Sequence, residues 1–179
     1  MLDLAVAYSR YKFLGNEFLT WLWFISEQDQ EKLKTIEKDL AALNIGNRIV
    51  LENRLNNAVE TITISGDDAG LEEGILALAK GAIVTEINVL YKTRDNEWRF
   101  TIRGESMNIS NLKIPPTDLP ESDEDIEGLV LEKVYLYEKA LQLIDNLFNA
   151  FIQLRVSSKW NETEVPKIRK WISSQAKAF

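Results

Sequence analysis

The sequence predicts an α+β domain: an antiparallel sheet of about four strands packed with an aromatic N-terminal helix and a C-terminal pair built on one long helix. Three observations predict it. Residues 13–27, FLGNEFLTWLWFISE, are the most apolar and aromatic run in the chain, with apolar residues at helical spacing. Two later stretches, 48–65 and 82–103, alternate with the period of strands. From Asp125 to Val156 helical periodicity returns for about 30 residues, roughly 45 Å at 1.5 Å per residue. Helices, then strands with an inserted helix, then helices again is the order of an α+β chain rather than of alternating α/β units.

Residues 1–14 open apolar, with Leu4, Val6, Tyr8 and Tyr11, and read as the approach to the aromatic helix. In that helix Leu14, Phe18, Trp21, Leu22 and Ile25 share one face. Asn16 after Gly15 is the expected N-cap, and Glu17 then sits where the helix dipole favours a carboxylate. Leu19, Trp23 and Phe24 carry apolar surface to the other side, so the helix is expected to be buried on more than one side. The alternative is an exposed aromatic platform that stacks bases or holds a partner. Asp29 to Leu43 reads as a second helix with a stripe of Leu33, Ile36, Leu40 and Leu43, stopped by Asn44-Ile45-Gly46-Asn47.

Arg48–Arg54 and Val59–Ser65 form a predicted hairpin turned by Asn56-Asn57, and Gly66-Asp67-Asp68 breaks it. Leu71–Lys80 is a short helix closed by Gly81. Ala82–Arg94 is a long strand that Asp95-Asn96 returns into Glu97–Arg103. Met107–Ile114 is extended, Pro115-Pro116 stops it, and Thr117–Glu124 is an acidic linker. The long helix follows, its apolar side Leu129, Leu136, Leu143, Leu147 and Leu154, with Ile126, Val134, Tyr137, Ala140, Ile144, Phe148 and Phe151 beside it. Asn161 with Glu164 reads as the capping box of a last helix, with Pro166 tolerated in its first turn. The whole is one domain over residues 1–179: helices in 1–47, sheet with inserted helix in 48–114, linker in 115–124 and helices in 125–179.

Composition excludes much chemistry. The chain has no Cys and no His among its 179 residues. Disulfides, thiolate and Ser-His-Asp catalysis and the usual zinc sites are therefore out. The carboxylates Glu121, Asp123, Glu124, Asp125 and Glu127 lack the spacing of a calcium loop. Asp67-Asp68 with Glu72-Glu73 reads as loop and helix N-terminus. A Mg²⁺-dependent nuclease has nothing but the presence of Asp and Glu behind it. No catalytic residue, metal ligand or cofactor is expected. No secretory leader is expected from the first residues, and Phe18–Ile25, eight residues long, is too short to cross a bilayer. A cytoplasmic location is expected.

With a net charge of −7 the chain is a poor general binder of nucleic acid, but its basic residues are unevenly placed. If Ile49, Leu51, Ile62, Ile64, Trp98, Phe100 and Ile102 face the core, then Arg48, Arg54, Arg99 and Arg103 face outward, where Lys92 and Arg94 can join them. Such a face could hold DNA by phosphate contacts. The alternative is a solvated face balanced by Glu52, Glu86 and Glu97. A second set, Trp160, Lys167, Arg169, Lys170 and Trp171, interleaves aromatic and basic residues as a partner or single-strand surface does. It reads equally as an amphipathic helix docked on the chain's own long helix beside Glu132 and Glu138.

The run Phe13-Leu14-Gly15, Glu17 and Phe18-Leu19-Thr20-Trp21-Leu22-Trp23 resembles the opening motif of short bacterial RdgC-like, recombination-associated proteins. Glu97-Trp98-Arg99-Phe100, the run Asn111-Leu112-Lys113-Ile114-Pro115-Pro116 and the acidic linker before a long helix extend the likeness over most of the chain. The resemblance implies a non-enzymatic protein that binds DNA without sequence preference or modulates the recombinase. The longer members of that family are thought to encircle duplex DNA as a dimeric ring. The alternative expectation is a protein–protein assembly subunit with no direct DNA contact. A homo-oligomer is expected in either case.

Overall fold

The computed structural model describes residues 12–55, 58–66, 69–119, 122 and 125–178. The readings placed on residues 1–11, Asn56-Asn57, Asp67-Asp68, Glu121, Asp123 and Glu124 lie outside them.

Helix α1, Phe13–Gln28, is the centre of the core. Every residue from Trp21 to Ser26 is buried, so the helix is enclosed on all sides at its middle, as its apolar circumference requires. The expected cap is corrected. The helix starts at Phe13, so Asn16 lies inside it, buried, and Lys12 precedes it with no side-chain cap. Gly15 is there for close approach: a Cβ would run into the carbonyl oxygen of Gly104, and one on Gly104 would stand 2.6 Å from Asn16 Oδ1. The helix start therefore lies directly on the turn after residue 103.

The second helix is also shorter than its stripe suggests. Helix α2 covers only Gln30–Ile36, with Asp29 Oδ1 accepting from the Lys32 N–H at 3.0 Å. Strand β1, Ala42–Leu55, begins where the sequence pattern still runs helical. Leu40 and Leu43 are buried as that pattern asks, but the backbone around Leu43 is claimed by other partners. The Gln30 side-chain amide donates to Leu43 O at 2.6 Å and accepts from Leu43 N at 3.2 Å, and Leu43 pairs with Tyr91. Asn44-Ile45-Gly46-Asn47 is accordingly no helix stop. It sits inside β1 at an irregularity between Ile45 and Ile49, where a Cβ on Gly46 would strike Asn88.

Strands β2 (Ala58–Ser65), β3 (Ile83–Lys92), β4 (Glu97–Arg103) and β5 (Asn108–Lys113) complete an antiparallel sheet of five strands, one more than expected, in the order β2-β1-β3-β4-β5. The extra strand is the stretch read as merely extended. Helix α3, Ala69–Ala79, connects β2 to β3. Alternation sends Ile49, Leu51, Ile64, Ile87, Val89, Tyr91, Trp98, Phe100 and Ile102 into the core with α1.

The long helix α4, Asp125–Arg155, starts where expected, ends one residue before the expected Val156, and buries Leu136, Ala140, Leu143, Ile144, Leu147 and Phe151. The last helix does not start at an Asn161 cap. Helical backbone resumes at Ser158, widens into a π turn at Trp160–Glu164, and continues as α5, Val165–Ala176. The Val165 N–H reaches back to Trp160 O, and Pro166, which has no N–H to lose, occupies the first turn of α5. Trp160, Glu164, Ile168 and Trp171 are the buried residues of this segment.

Tyr91 is fully buried and stacked on Trp98, with ring centroids 4.9 Å apart. Its hydroxyl has no hydrogen-bond partner among the described residues. Burial first, then the carboxylates of Glu37 and Asp39, push its pKa above the usual tyrosine range. The folded chain thus keeps a proton that the unfolded chain releases above about pH 10, so stability falls as pH rises beyond that value. Tyr91→Phe is expected to abolish that part of the alkaline loss and to leave neutral-pH stability unchanged or slightly raised, as read from urea melts at neutral and alkaline pH.

Candidate interaction surfaces

The predicted basic face exists, and its carboxylates are woven into it. Cross-strand register puts Glu86 of β3 opposite Arg103 of β4 and beside Val50 of β1, two residues from Arg48. Glu86 Oε1 accepts from Arg48 Nε at 3.1 Å and its Oε2 from Arg103 Nε at 3.0 Å. Arg54 lies 3.3 Å from Glu52. Glu97 lies 3.0 Å from Lys92 and 4.0 Å from Arg99. Of the six nominated cations only Arg94, in the turn after β3, shows no ion pair among the described residues. Five cations share three carboxylates, which leaves a face only mildly positive. Each such exposed pair contributes on the order of 0–1 kcal/mol.

The second nominated set divides. Trp160 and Trp171 are buried, so neither ring is free to stack on a base or a partner, and that reading is corrected. Trp171 meets Trp23 edge-on at 5.6 Å and Phe24 at 5.6 Å. One carboxylate ties the pair: Glu27 accepts from Trp23 Nε1 at 2.6 Å and from Trp171 Nε1 at 3.1 Å. Trp160 stands edge-on to Phe151 at 5.4 Å under the Arg155 guanidinium. Helix α5 packs on α1 and α3, not beside Glu132 and Glu138 of α4. Lys167, Arg169 and Lys170 remain exposed. Lys167 lies 3.8 Å from the buried Glu164, whose other oxygen is 3.1 Å from Lys32. These residues edge a cleft of about 360 Å³ with Phe24 and Trp171. A more apolar cleft of about 380 Å³ lies between α1 and α5, lined by Phe13, Leu78, Ile83, Trp160, Ile168 and Ile172. Among the described residues no group of carboxylates is arranged to hold a metal ion, and no helix is long and apolar enough to cross a membrane.

The third surface was hidden in the sequence pattern. The C-terminal half of α4 is held to the body by its buried stripe. Arg155 reaches Glu17 at 2.6 Å, Asn146 reaches Glu37 at 3.2 Å and Lys139 reaches Asp39 at 2.9 Å. Burial alone lowers the Lys139 pKa, but the Asp39 hydrogen bond and neighbouring charges outweigh it and hold the ammonium above its usual value. The last fixed point towards the N-terminus is Leu136, whose carbonyl accepts from Trp98 Nε1 at 2.9 Å. Beyond it large apolar side chains stand in solvent, and the exposed stripe runs back past it through Tyr137 to Leu141. Ile126, Val130, Leu131, Val134, Tyr135, Tyr137 and Leu141 are 45–62% exposed. Sequence reading assigned Ile126, Val134 and Tyr137 to the packed side. The signal available was length: 31 residues span roughly 46 Å, whereas the 16-residue α1 against which it packs spans about 24 Å, so α4 cannot bury its whole stripe there.

Comparison with known proteins finds no matching family model, no matching curated protein and no matching solved structure.

Proposed function

We propose that this chain is a non-catalytic assembly protein that meets another polypeptide through the N-terminal half of α4. The observation that carries this reading is the set of seven large apolar side chains exposed along α4 between Ile126 and Leu141, six of them on that half-helix. Single exposed hydrophobics are ordinary, but a contiguous run is the mark of an interaction site. Water gains nothing from such a surface, whereas a partner that covers it gains about 25 cal/mol for each Å² of apolar area buried. A photo-crosslinking amino acid placed at Val134 or Tyr137 in the producing cell is expected to capture a polypeptide, while the same group at Thr63 on β2 captures none. Failure to crosslink from either helix position contradicts the reading.

A second reading keeps DNA, as the RdgC-like resemblance implies, with the protein acting in recombination on DNA directly or on the recombinase. It rests on the outward cations of the sheet, Arg48 and Arg103 on Glu86, Arg54 on Glu52, and Lys92 and Arg99 on Glu97. Binding then weakens steeply with salt, because it works by releasing counterions from phosphates. Arg99→Glu with Arg103→Glu is expected to abolish it, and Glu86→Gln, which frees two guanidinium groups, to strengthen it severalfold. Fluorescence anisotropy with single- and double-stranded DNA reads both effects, and no binding at low salt rejects direct DNA contact. The absence of Cys accords with a cytoplasmic protein on either reading.

A further inference from the structure

We infer that the partner covering α4 is a second copy of this chain, paired parallel and in register over Val130–Leu141; the inference rests on the assembly reading above. Val130, Val134, Tyr137 and Leu141 follow one another at intervals of four, three and four, the a/d repeat of a coiled-coil seam, and all four are exposed. The repeat continues to Ile144, but Ile144 is 4% exposed in the chain's own core, so the seam ends at Leu141. At the other end the preceding core position is Glu127, so the seam begins at Val130. Valine at the a position, Val134, is the branched type that two-stranded parallel coils favour.

Charge selects the occupant. Lys133 and Glu138 are exposed on the two shoulders of the seam. They stand five residues apart, too far round the helix to pair with each other, since only residues three or four apart are neighbours. In a parallel in-register pair this is the g-to-e′ spacing, and Lys133 of each copy faces Glu138 of the other, giving two ion pairs across the seam. A sequence that carries both halves of the complement is suited to its own copy. Burying two such stripes covers on the order of 1,000 Å², the lower bound for a specific interface, so the dimer is reversible and forms as concentration rises.

Sedimentation equilibrium on the purified full chain tests this. The wild-type mass is expected to climb from 20.5 kDa towards twice that value with concentration. Lys133→Glu and Glu138→Lys each replace two attractions with two repulsions and should weaken the dimer about tenfold. The double swap should restore it to within about twofold. Circular dichroism on each variant confirms that the helix content is kept, since neither side chain is buried. A chain that stays monomeric at every concentration, or a dimer indifferent to both reversals, overturns the inference. Crosslinks from Val134 in the cell with a monomeric purified chain would remove the second copy alone; loss of both would remove the assembly reading as well.

Discussion

Gly15→Ala is expected to destabilise the fold by about 3 kcal/mol or more, far beyond what a single methyl group does at an ordinary helix position. The added Cβ would sit against the carbonyl oxygen of Gly104 and 2.5 Å from its carbonyl carbon. Neither is the flexible end of a side chain. Either the start of α1 lifts from the turn between β4 and β5, or that turn moves with the strands it joins. Alanine is normally the better helix former by roughly 0.5–1 kcal/mol, so the sign of the effect is set entirely by the contact. Gly128 supplies the control. It lies in α4 with open space around its Cβ position, and Gly128→Ala is expected to stabilise by about that same 0.5–1 kcal/mol. Urea melts measure both, with the midpoint moving in opposite directions and the slope unchanged. A loss below about 1 kcal/mol at Gly15 would mean that α1 does not press on that turn.

Trp98→Ala is the second large effect, expected to remove about 3–5 kcal/mol. Trp98 is 1% exposed, stacks on Tyr91 and donates from Nε1 to the carbonyl of Leu136. It therefore does two things: it fills the core under β4, and it ties down the point where α4 leaves the body. Trp98→Phe separates them, keeping most of the packing while losing the hydrogen bond, for about 1–2 kcal/mol. Hydrogen exchange should then quicken in residues 126–141 relative to the rest of α4 in both variants. If exchange in that half-helix is unchanged, the Trp98 contact does not hold the helix in place.

The hairpins, the inserted helix and the long helix were legible because their periodicity is strong and each has one buried face. The stretch Asp29–Leu43 was not. Leu33, Ile36, Leu40 and Leu43 fit one helical stripe, yet Leu40 reaches the core from the turn after α2 and Leu43 from β1, its backbone claimed by Tyr91 on β3 and by the Gln30 side chain. Tertiary pairing overrode the local pattern there. Asn16 has the chemistry of a cap, but what decides its place is Gly104, distant in sequence and invisible to local reading. Trp160 and Trp171 could have been placed. They stand eleven residues apart, about three helical turns, on one face with Glu164 and Ile168, and a shared face argues for burial rather than for two free rings. For the basic face, the sequence contained both the cations and the three carboxylates. Only the register of β1, β3 and β4 shows that Glu86 lies between Arg48 and Arg103.

The central claim is that the exposed half of α4 is where this protein joins another polypeptide. Its most direct test is the sedimentation of the tagged chain, chemically crosslinked in the producing cell before gentle lysis, wild type beside Val130→Glu with Val134→Glu. Both side chains are about half exposed, so the double variant should fold with its melting temperature nearly unchanged. The account predicts that the wild-type chain runs in a species larger than the tagged monomer and that the double variant runs as the tagged monomer. Two chains sedimenting alike, whether both large or both small, would contradict it.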